Sequence, residues 1–470
     1  MAPDPLIPQG RFRRVLPLAG LTAQTAGARV IAGLRERAGD ADALDEFRAT
    51  AAQRYGELFG RSKGVLMKAG QLYGMLDFAL VGGDTLLPYQ QELQRLQADA
   101  PEMPTSLVLD IVAADLGRPL RQVFADFNEH PMAAASVGQV HEATLADGRR
   151  VAVKVQYPGA AEAIRADLLN LQLLETFWRY LLGGIGVPML DMRQAVREMA
   201  ARIREEVDYR REAANVDTFA TLYRDHPFIR VPEVISEASG DRVLTLTYME
   251  GMDWVQAHQH ADQDLKNSWA EAVVRFLFGS YRHANLMYGD PHPDNCRFRS
   301  DGTVAFVDYG CVQVVPEHDR WLLVAISRAI IEDRAADFFR MLPELGFVEH
   351  DMHLRADPAM WDWSRSAHSY LIGPQPFTYS RESTISAIGT FINPDRSVLR
   401  HLSLPGTYAV GARLAAALVA IPVALDATIH TRAALDDMDG VAEPATELGE
   451  QHVAWVRERG LPFGMDRHNP

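Results

Sequence analysis

From residue 20 to 100 the chain is rich in good helix formers and poor in β-branched positions, a pattern that predicts helices up to the PEMP boundary at 101–104. The apolar positions of SLVLDIVAADLG then recur at helical spacing and stop at Gly117, where a helix is expected to end. The period changes next. Residues 132–157, MAAASVGQVHEATLADGRRVAVKVQY, predict strand, turn and strand, with Asp147-Gly148 at the turn and β-branched residues crowding the second arm. Helix is expected from about 160 to 225, a strand at RVLTLTYMEG (242–251), and mainly helix to about 290. A second hairpin follows in CRFRSDGTVAFVDYG (296–310), turning at Asp301-Gly302, and residues 316–470 again read as mostly helical. The most apolar run, YAVGARLAAALVAIPVAL (408–425), contains Arg413 and Pro422 and falls short of the roughly 20 uninterrupted apolar residues a bilayer needs. It predicts a buried C-terminal helix. The chain thus orders itself as a helical extension (1–104), a small mixed lobe (105–251) and a larger helical lobe (252–470).

Composition narrows this picture. The 470 residues are 47 % hydrophobic, enough to bury more than one core. A formal charge of −15 argues against a dedicated nucleic-acid binder. Cys296 and Cys311 are the two cysteines, without metal-ligand spacing, which suits a reducing, cytoplasmic setting. Arg11, Arg13 and Arg14 precede the short run VLPLAGL, which Pro17 interrupts. We read it as a basic-flanked helix that covers the protein surface or touches a membrane, not as a signal peptide.

Three short stretches carry candidate chemistry. In VAVKV, strand alternation sends Lys154 to one face and Val153 and Val155 to the other. In YGDPHPDN, Asp290 and Asn295 are five apart, the spacing of a base-like carboxylate and a metal-binding amide in a phosphotransferase loop. In VDYG, Asp308 follows Asn295 by thirteen residues at the end of the second hairpin and is expected to face it as a second oxygen donor to Mg²⁺. Taken singly, these are an edge-strand lysine, a Pro-rich turn and a common Asp-x-Gly turn. In this order, on these predicted elements, they point to an α+β, bilobal protein-kinase-like fold.

With these residues in view, the chain resembles the UbiB (AarF) family of atypical protein-kinase-like ATPases, through MKAGQ (67–71), AAASVGQVH (133–141), VAVKVQYPG, EEVDYRREAAN (205–215), GDPHPDN and VDYG. The resemblance implies that Lys68 and Gln71 form a K-x-G-Q motif on a helix folded over the nucleotide site. It makes Glu206 and Asp208 an E-x-D motif pairing with Lys68, and Glu212 the helix partner of Lys154. The residues are compatible, since Glu205, Glu206, Asp208 and Glu212 fall on one predicted helix with 208 and 212 sharing a face.

The same resemblance places Ala134, Ala135, Ser136, Val137, Gly138 and Gln139 at the phosphate loop, and Thr247 and Met249 at the adenine hinge, where relatives often carry glutamate at the position of Thr247. Alanine disfavours the backbone conformations glycine allows, so Ala135 is expected to stiffen the loop and restrain the phosphates. Asp294 stands where the family commonly has glycine and adds a charge beside the metal site. After VDYG the chain leaves little room for a peptide-docking activation segment, and Gly-Asp-Pro replaces His-Arg-Asp. The expected cofactors are ATP and Mg²⁺. The expected function is an ATPase or small-molecule kinase serving lipid or isoprenoid quinone metabolism. Lipid or quinone-precursor ligands, a membrane's inner face and partner biosynthetic enzymes are its expected contacts. A nucleotide-gated scaffold and a protein kinase are the competing readings.

Overall fold

A computed structural model of the chain describes residues 102–134, 137–160, 205, 207–348, 357–380 and 409–467, with 35 and 40. The expected N-terminal extension with Lys68 and Gln71 lies outside the described residues, as do Ala135, Ser136 and Glu206. The described residues fall into two units. One holds those from 102 to 160, 205 to 213 and Val234–Tyr248; the other holds Ala214–Glu233 and those from Met249 onward.

The first unit opens with α1 (Thr105–Leu116), which ends as its sequence predicts, on Gly117 at φ 65°. Val108, Ile111 and Val112 recur at helical spacing and are its buried stripe. A five-stranded antiparallel sheet follows: β1 (Phe124–Phe127), β2 (Ala133–Ala134), β3 (Gly138–Leu145), β4 (Arg150–Gln156) and, after the start of α2 (Tyr209–Leu222), β5 (Val243–Thr247). The strand order is β1-β3-β4-β5, with β2 paired to β3. The β3–β4 hairpin closes at Leu145 and Arg149, whose N–H and carbonyl are 2.9 Å apart, and turns through Gly148 at φ 89°. Asp147 Oδ1 accepts from Arg149 N–H at 3.1 Å, the short-range bond that makes Asp-Gly a strong turn signal. α1 is tied to the sheet through Asp115, whose Oδ2 accepts from the N–H groups of Arg242 at 2.8 Å and Val243 at 2.9 Å.

The second unit is built around α3 (Gln263–Ala284), capped by Asp262 and buried without interruption from Trp269 to His283. An interior helix must satisfy its polar side chains internally. Arg275 does so with a two-pronged contact to Asp437, both bonds 2.8 Å, and a third to Glu271 at 2.8 Å. After α3 come the short strands β6 (Leu286–Tyr288), β7 (Cys296–Phe298), β8 (Val304–Phe306) and β9 (Val312–Val314), then α4 (Glu317–Ile331). β7 and β8 form the second expected hairpin, and its turn copies the first: Gly302 sits at φ 82° and Asp301 Oδ1 accepts from Thr303 N–H at 3.0 Å. The helical reading of 316–470 needs correction in places, because Phe377–Thr378 pairs with Thr428–Ile429, and just ahead of it β9 pairs with β6. Two- and three-residue strands are too short to show alternation. The apolar run forms α5 (Ala409–Ala424), with Leu414, Leu418, Val419 and Ile421 buried. Among the described residues no helix is long and apolar enough to cross a membrane. α6 (Thr431–Met438) and α7 (Glu447–Glu458) end the unit.

Candidate functional site

Lys154 lies mid-strand on β4 between Val140 and Leu244. It is buried, as are Val151, Val153 and Val155 on the other face, so both sides of the strand are covered. A buried ammonium needs a counter-charge. It has one in Glu212, also buried, whose Oε1 contacts Lys154 Nζ directly. The pairing expected from the family resemblance is therefore present.

The expectation of one helix through 205–212 is not met. α2 starts at Tyr209, and Asp208 stands before it as an N-cap: its Oδ1 accepts from Arg211 N–H at 3.0 Å and its carbonyl from Glu212 N–H at 3.0 Å. Aspartate's short side chain competes well for the open N–H groups of a first turn. Glu212 thus enters on a helix whose start is fixed.

The phosphate-loop candidates separate. β2 and β3 pair through Ala133–Val140 and Ala134–Gln139, so Ala134 is an extended strand residue. Val137 accepts from Tyr157 N–H through its carbonyl, at 2.9 Å. Gly138 pairs with Gln156 on β4, and a Cβ there would lie 2.3 Å from Val155 O and 2.9 Å from the Tyr209 hydroxyl oxygen. Close packing, in addition to any approach to phosphate, requires glycine at 138. Gln139 needs correction: directly paired strand residues share a face, so Val140 lies on the Lys154 side and Gln139 on the opposite side. There its Oε1 accepts from Met103 N–H at 2.8 Å and its Nε2 lies 2.8 Å from His141 Nε2, while His141 Nδ1 lies 2.8 Å from Asn128 O. Burial lowers the pKa of His141, and the neutral ring with its proton on Nδ1 completes the chain. Of the hinge residues, Thr247 pairs with Val151 at the end of β5, and half-buried Met249 belongs to the second unit.

In the second unit, β6 leads into the Asp290 loop. Gly289 donates its N–H to Cys311 O at 2.8 Å, and a Cβ at 289 would lie 2.5 Å from Cys311 Sγ. The residue before Asp290 has no room for a side chain. The loop then folds on itself: His292 N–H donates to Asp290 O at 2.8 Å, Asn295 N–H to His292 O at 2.9 Å, and Asn295 Nδ2 to Asp290 O at 3.0 Å. That last bond commits the amide nitrogen and leaves the amide oxygen as the Asn295 atom suited to a cation. Val307 N–H donates to Asn295 O at 2.9 Å, which brings Asp308, the next residue, to the same loop. Asp308 Oδ1 accepts from Gly310 N–H at 3.0 Å. Beneath the loop the Tyr288 and Tyr309 rings sit 5.5 Å apart, each against Phe219. Burial holds both phenols well above their ordinary pKa, so they remain neutral.

Residues 95–342 match the model of the ABC1 atypical kinase-like domain. The chain belongs to this family. Curated relatives of the ABC1 kinase-like chain include the chloroplastic Activity of BC1 complex kinase 1 of Arabidopsis thaliana, 35 % identical over 56 % of this chain and 39 % of that protein. Another is the mitochondrial atypical kinase COQ8 of Saccharomyces cerevisiae, 31 % identical over 62 % of this chain and 56 % of that protein. The rat mitochondrial atypical kinase COQ8B is 33 % identical over 55 % of this chain and 47 % of that protein. The chain therefore spans between two fifths and three fifths of the length of these relatives. Among solved structures, Rv3197 of Mycobacterium tuberculosis, determined with erythromycin, has 31 % identity and a TM-score of 0.59 over 88 % of this chain and 99 % of that one. The UbiB kinship and the kinase-like α+β fold expected from the sequence are thus established.

Two residues inside these motifs had no assigned contact from the sequence. Asp294, the departure from glycine, is exposed, with one oxygen 3.4 Å from His292 Nδ1 and its carbonyl bonded to Arg297. Asn215, three residues after Glu212, donates from Nδ2 to Tyr309 O at 2.9 Å. Its position in REAAN, one turn past the helix glutamate, was the available signal.

Proposed function

We propose that the protein binds ATP with Mg²⁺ and hydrolyses it, or transfers its γ-phosphoryl group to a small molecule, in support of lipid or isoprenoid quinone metabolism. The observation that carries this reading is the buried Lys154–Glu212 ion pair. Burying such a pair costs desolvation on both sides, and a lysine held this way is suited to bind phosphate oxygens.

The donor set of the second unit fits Mg²⁺. Asp308 and the Asn295 amide oxygen supply two hard oxygens, and among the described residues no cluster of three or more His, Cys, Asp or Glu is arranged for a metal. Magnesium commonly takes one or two protein oxygens and completes its shell with water and phosphate. When bound, it would neutralise charge developing on the phosphates. Lys154 would position those phosphates with Glu212 orienting it, and Asp290 would orient the attacking hydroxyl. The attacking oxygen bonds to the γ-phosphorus as the bond to the bridging oxygen breaks. ADP leaves with that electron pair, and the nucleophile's proton passes by way of Asp290 to solvent.

Six residues, Cys311–Pro316, separate the Asp-Tyr-Gly segment from α4, and three of them pair with β6. So short a link supports a small acceptor or water over a docked peptide. The erythromycin complex of Rv3197 favours a bulky hydrophobic small molecule as ligand. The COQ8 kinship favours the quinone branch of lipid metabolism, and work at a membrane surface beside partner enzymes is part of the same proposal.

Phosphate release from Mg·ATP, compared between wild type and Asp290→Asn with and without vesicles and a phenolic quinone-precursor mimic, tests this. Asp290-dependent release stimulated by vesicles or phenol is expected. Tight nucleotide binding with no release under any condition would replace the reading by a nucleotide-gated scaffold.

A further inference from the structure

The Asn215–Tyr309 bond has a geometry that reaches Asp308. Tyr309 O and Gly310 N–H belong to one trans peptide, and a planar trans peptide points its carbonyl and its N–H in opposite directions. The carbonyl accepts from Asn215 Nδ2 at 2.9 Å, and the N–H donates to Asp308 Oδ1 at 3.0 Å. Phe219, four residues after Asn215 on the same face of α2, packs its ring 5.0 Å from that of Tyr309. The helix therefore grips Tyr309 twice, by ring and by carbonyl. The ring contact fixes where Tyr309 is, but leaves the following peptide free to turn about its flanking single bonds. The amide contact fixes that rotation. Were the peptide to turn over, Gly310 N–H would leave Oδ1 and the Asp308 carboxylate would lose that bond.

We infer that Asn215 is a positioning residue for the metal-binding carboxylate: through the Tyr309–Gly310 peptide it fixes the N–H that holds Asp308 Oδ1, and with it the orientation in which the carboxylate is offered to a divalent cation. An asparagine does this because its NH₂ donates at any pH while its length matches one helical turn's reach. An aspartate in its place would be isosteric but could not donate, and its charge would repel the Tyr309 carbonyl.

The inference deepens the nucleotide–Mg²⁺ reading and can fail separately from it. In the full-length protein, Asn215→Ala and Asn215→Asp would be compared with wild type by two measurements. The first is hydrogen exchange of the segment 307–312 without nucleotide or metal. Faster exchange there, with the melting temperature held, is expected in both variants. The second is binding of a fluorescent ATP analogue across a Mg²⁺ titration. The half-saturating Mg²⁺ concentration is expected to rise about tenfold, equivalent to one hydrogen bond of about 1.4 kcal/mol, while metal-free binding is unchanged. Unchanged exchange at 307–312, or Asn215→Asp behaving as wild type, would overturn the inference. Wild-type protein that binds no Mg·nucleotide would remove the functional reading, and hydrogen exchange would still decide whether Asn215 holds the peptide.

Discussion

Acid should weaken the second unit through three histidines that sit in a row inside it. His226 Nδ1 accepts from Ile229 N–H at 3.0 Å, so its proton is on Nε2, 3.0 Å from His452 Nδ1. That makes His452 carry its own proton on Nε2, 3.1 Å from His283 Nε2, and His283 in turn donates from Nδ1 to Pro462 O at 2.8 Å. Every ring is neutral and every tautomer is dictated by its neighbour. Adding a proton anywhere would set two N–H groups against each other beside Arg230 and Arg275. Burial, then those arginines and the neighbouring histidines, hold His226 and His452 well below 6.5. A histidine whose folded pKa is depressed is charged more readily in the unfolded chain, so its neutral contribution is complete above about pH 6.5 and is lost as pH falls. Two such groups together cost on the order of 3 kcal/mol between about pH 7.5 and about pH 5.5. Urea unfolding at both pH values, read by the fluorescence of tryptophans that include buried Trp455, which stacks on Tyr223, measures this. Asp437 and Asp439 have raised pKa values from burial and shift stability the opposite way, so the difference from His452→Gln is the informative quantity. Glutamine can accept from His226 and donate to His283 without titrating. It should lower the loss between the two pH values by on the order of 1 kcal/mol. A variant with the wild-type loss would refute the neutral-chain argument.

Two further substitutions test packing and charge near the candidate site and in the core. Gly289→Ala should lower the melting temperature and impair nucleotide-dependent activity together, because its methyl would meet Cys311 Sγ at 2.5 Å and the Cys311 carbonyl oxygen at 2.9 Å; an alanine variant with wild-type melting would count against the close approach. Arg275→Met should cost about 3–5 kcal/mol in urea unfolding by leaving buried Asp437 and Glu271 without their guanidinium, and Arg275→Met paired with Asp437→Leu should recover much of it.

Much of the frame is legible in the sequence because its signals are local. Both hairpins turn on Asp-Gly pairs whose aspartate bonds two residues ahead, and α1 stops on a left-handed glycine; each needs no distant partner. Lys154 and the Asp290–Asn295 spacing are legible for a similar reason, since strand period and loop length are written along the chain. Helix continuity through Asp208 is not, because the same acidic residue serves equally on a charged helix face or as a cap, and only the start of α2 decides between them. Nor does a loop motif state which face of β3 Gln139 occupies; the pairing of Val140 with Lys154 does. The histidine row is invisible along the chain, as positions 226, 283 and 452 meet only when α3 and α7 pack together.

The contact between Gly289 and Cys311 also bears on how this protein could change over evolutionary time. A sensor arginine ahead of the loop aspartate would have to displace both the thiol and the main chain of Cys311, the residue just before the strand that β6 holds in register. An arginine at this position requires the Asp290 loop and the chain entering β9 to move apart together.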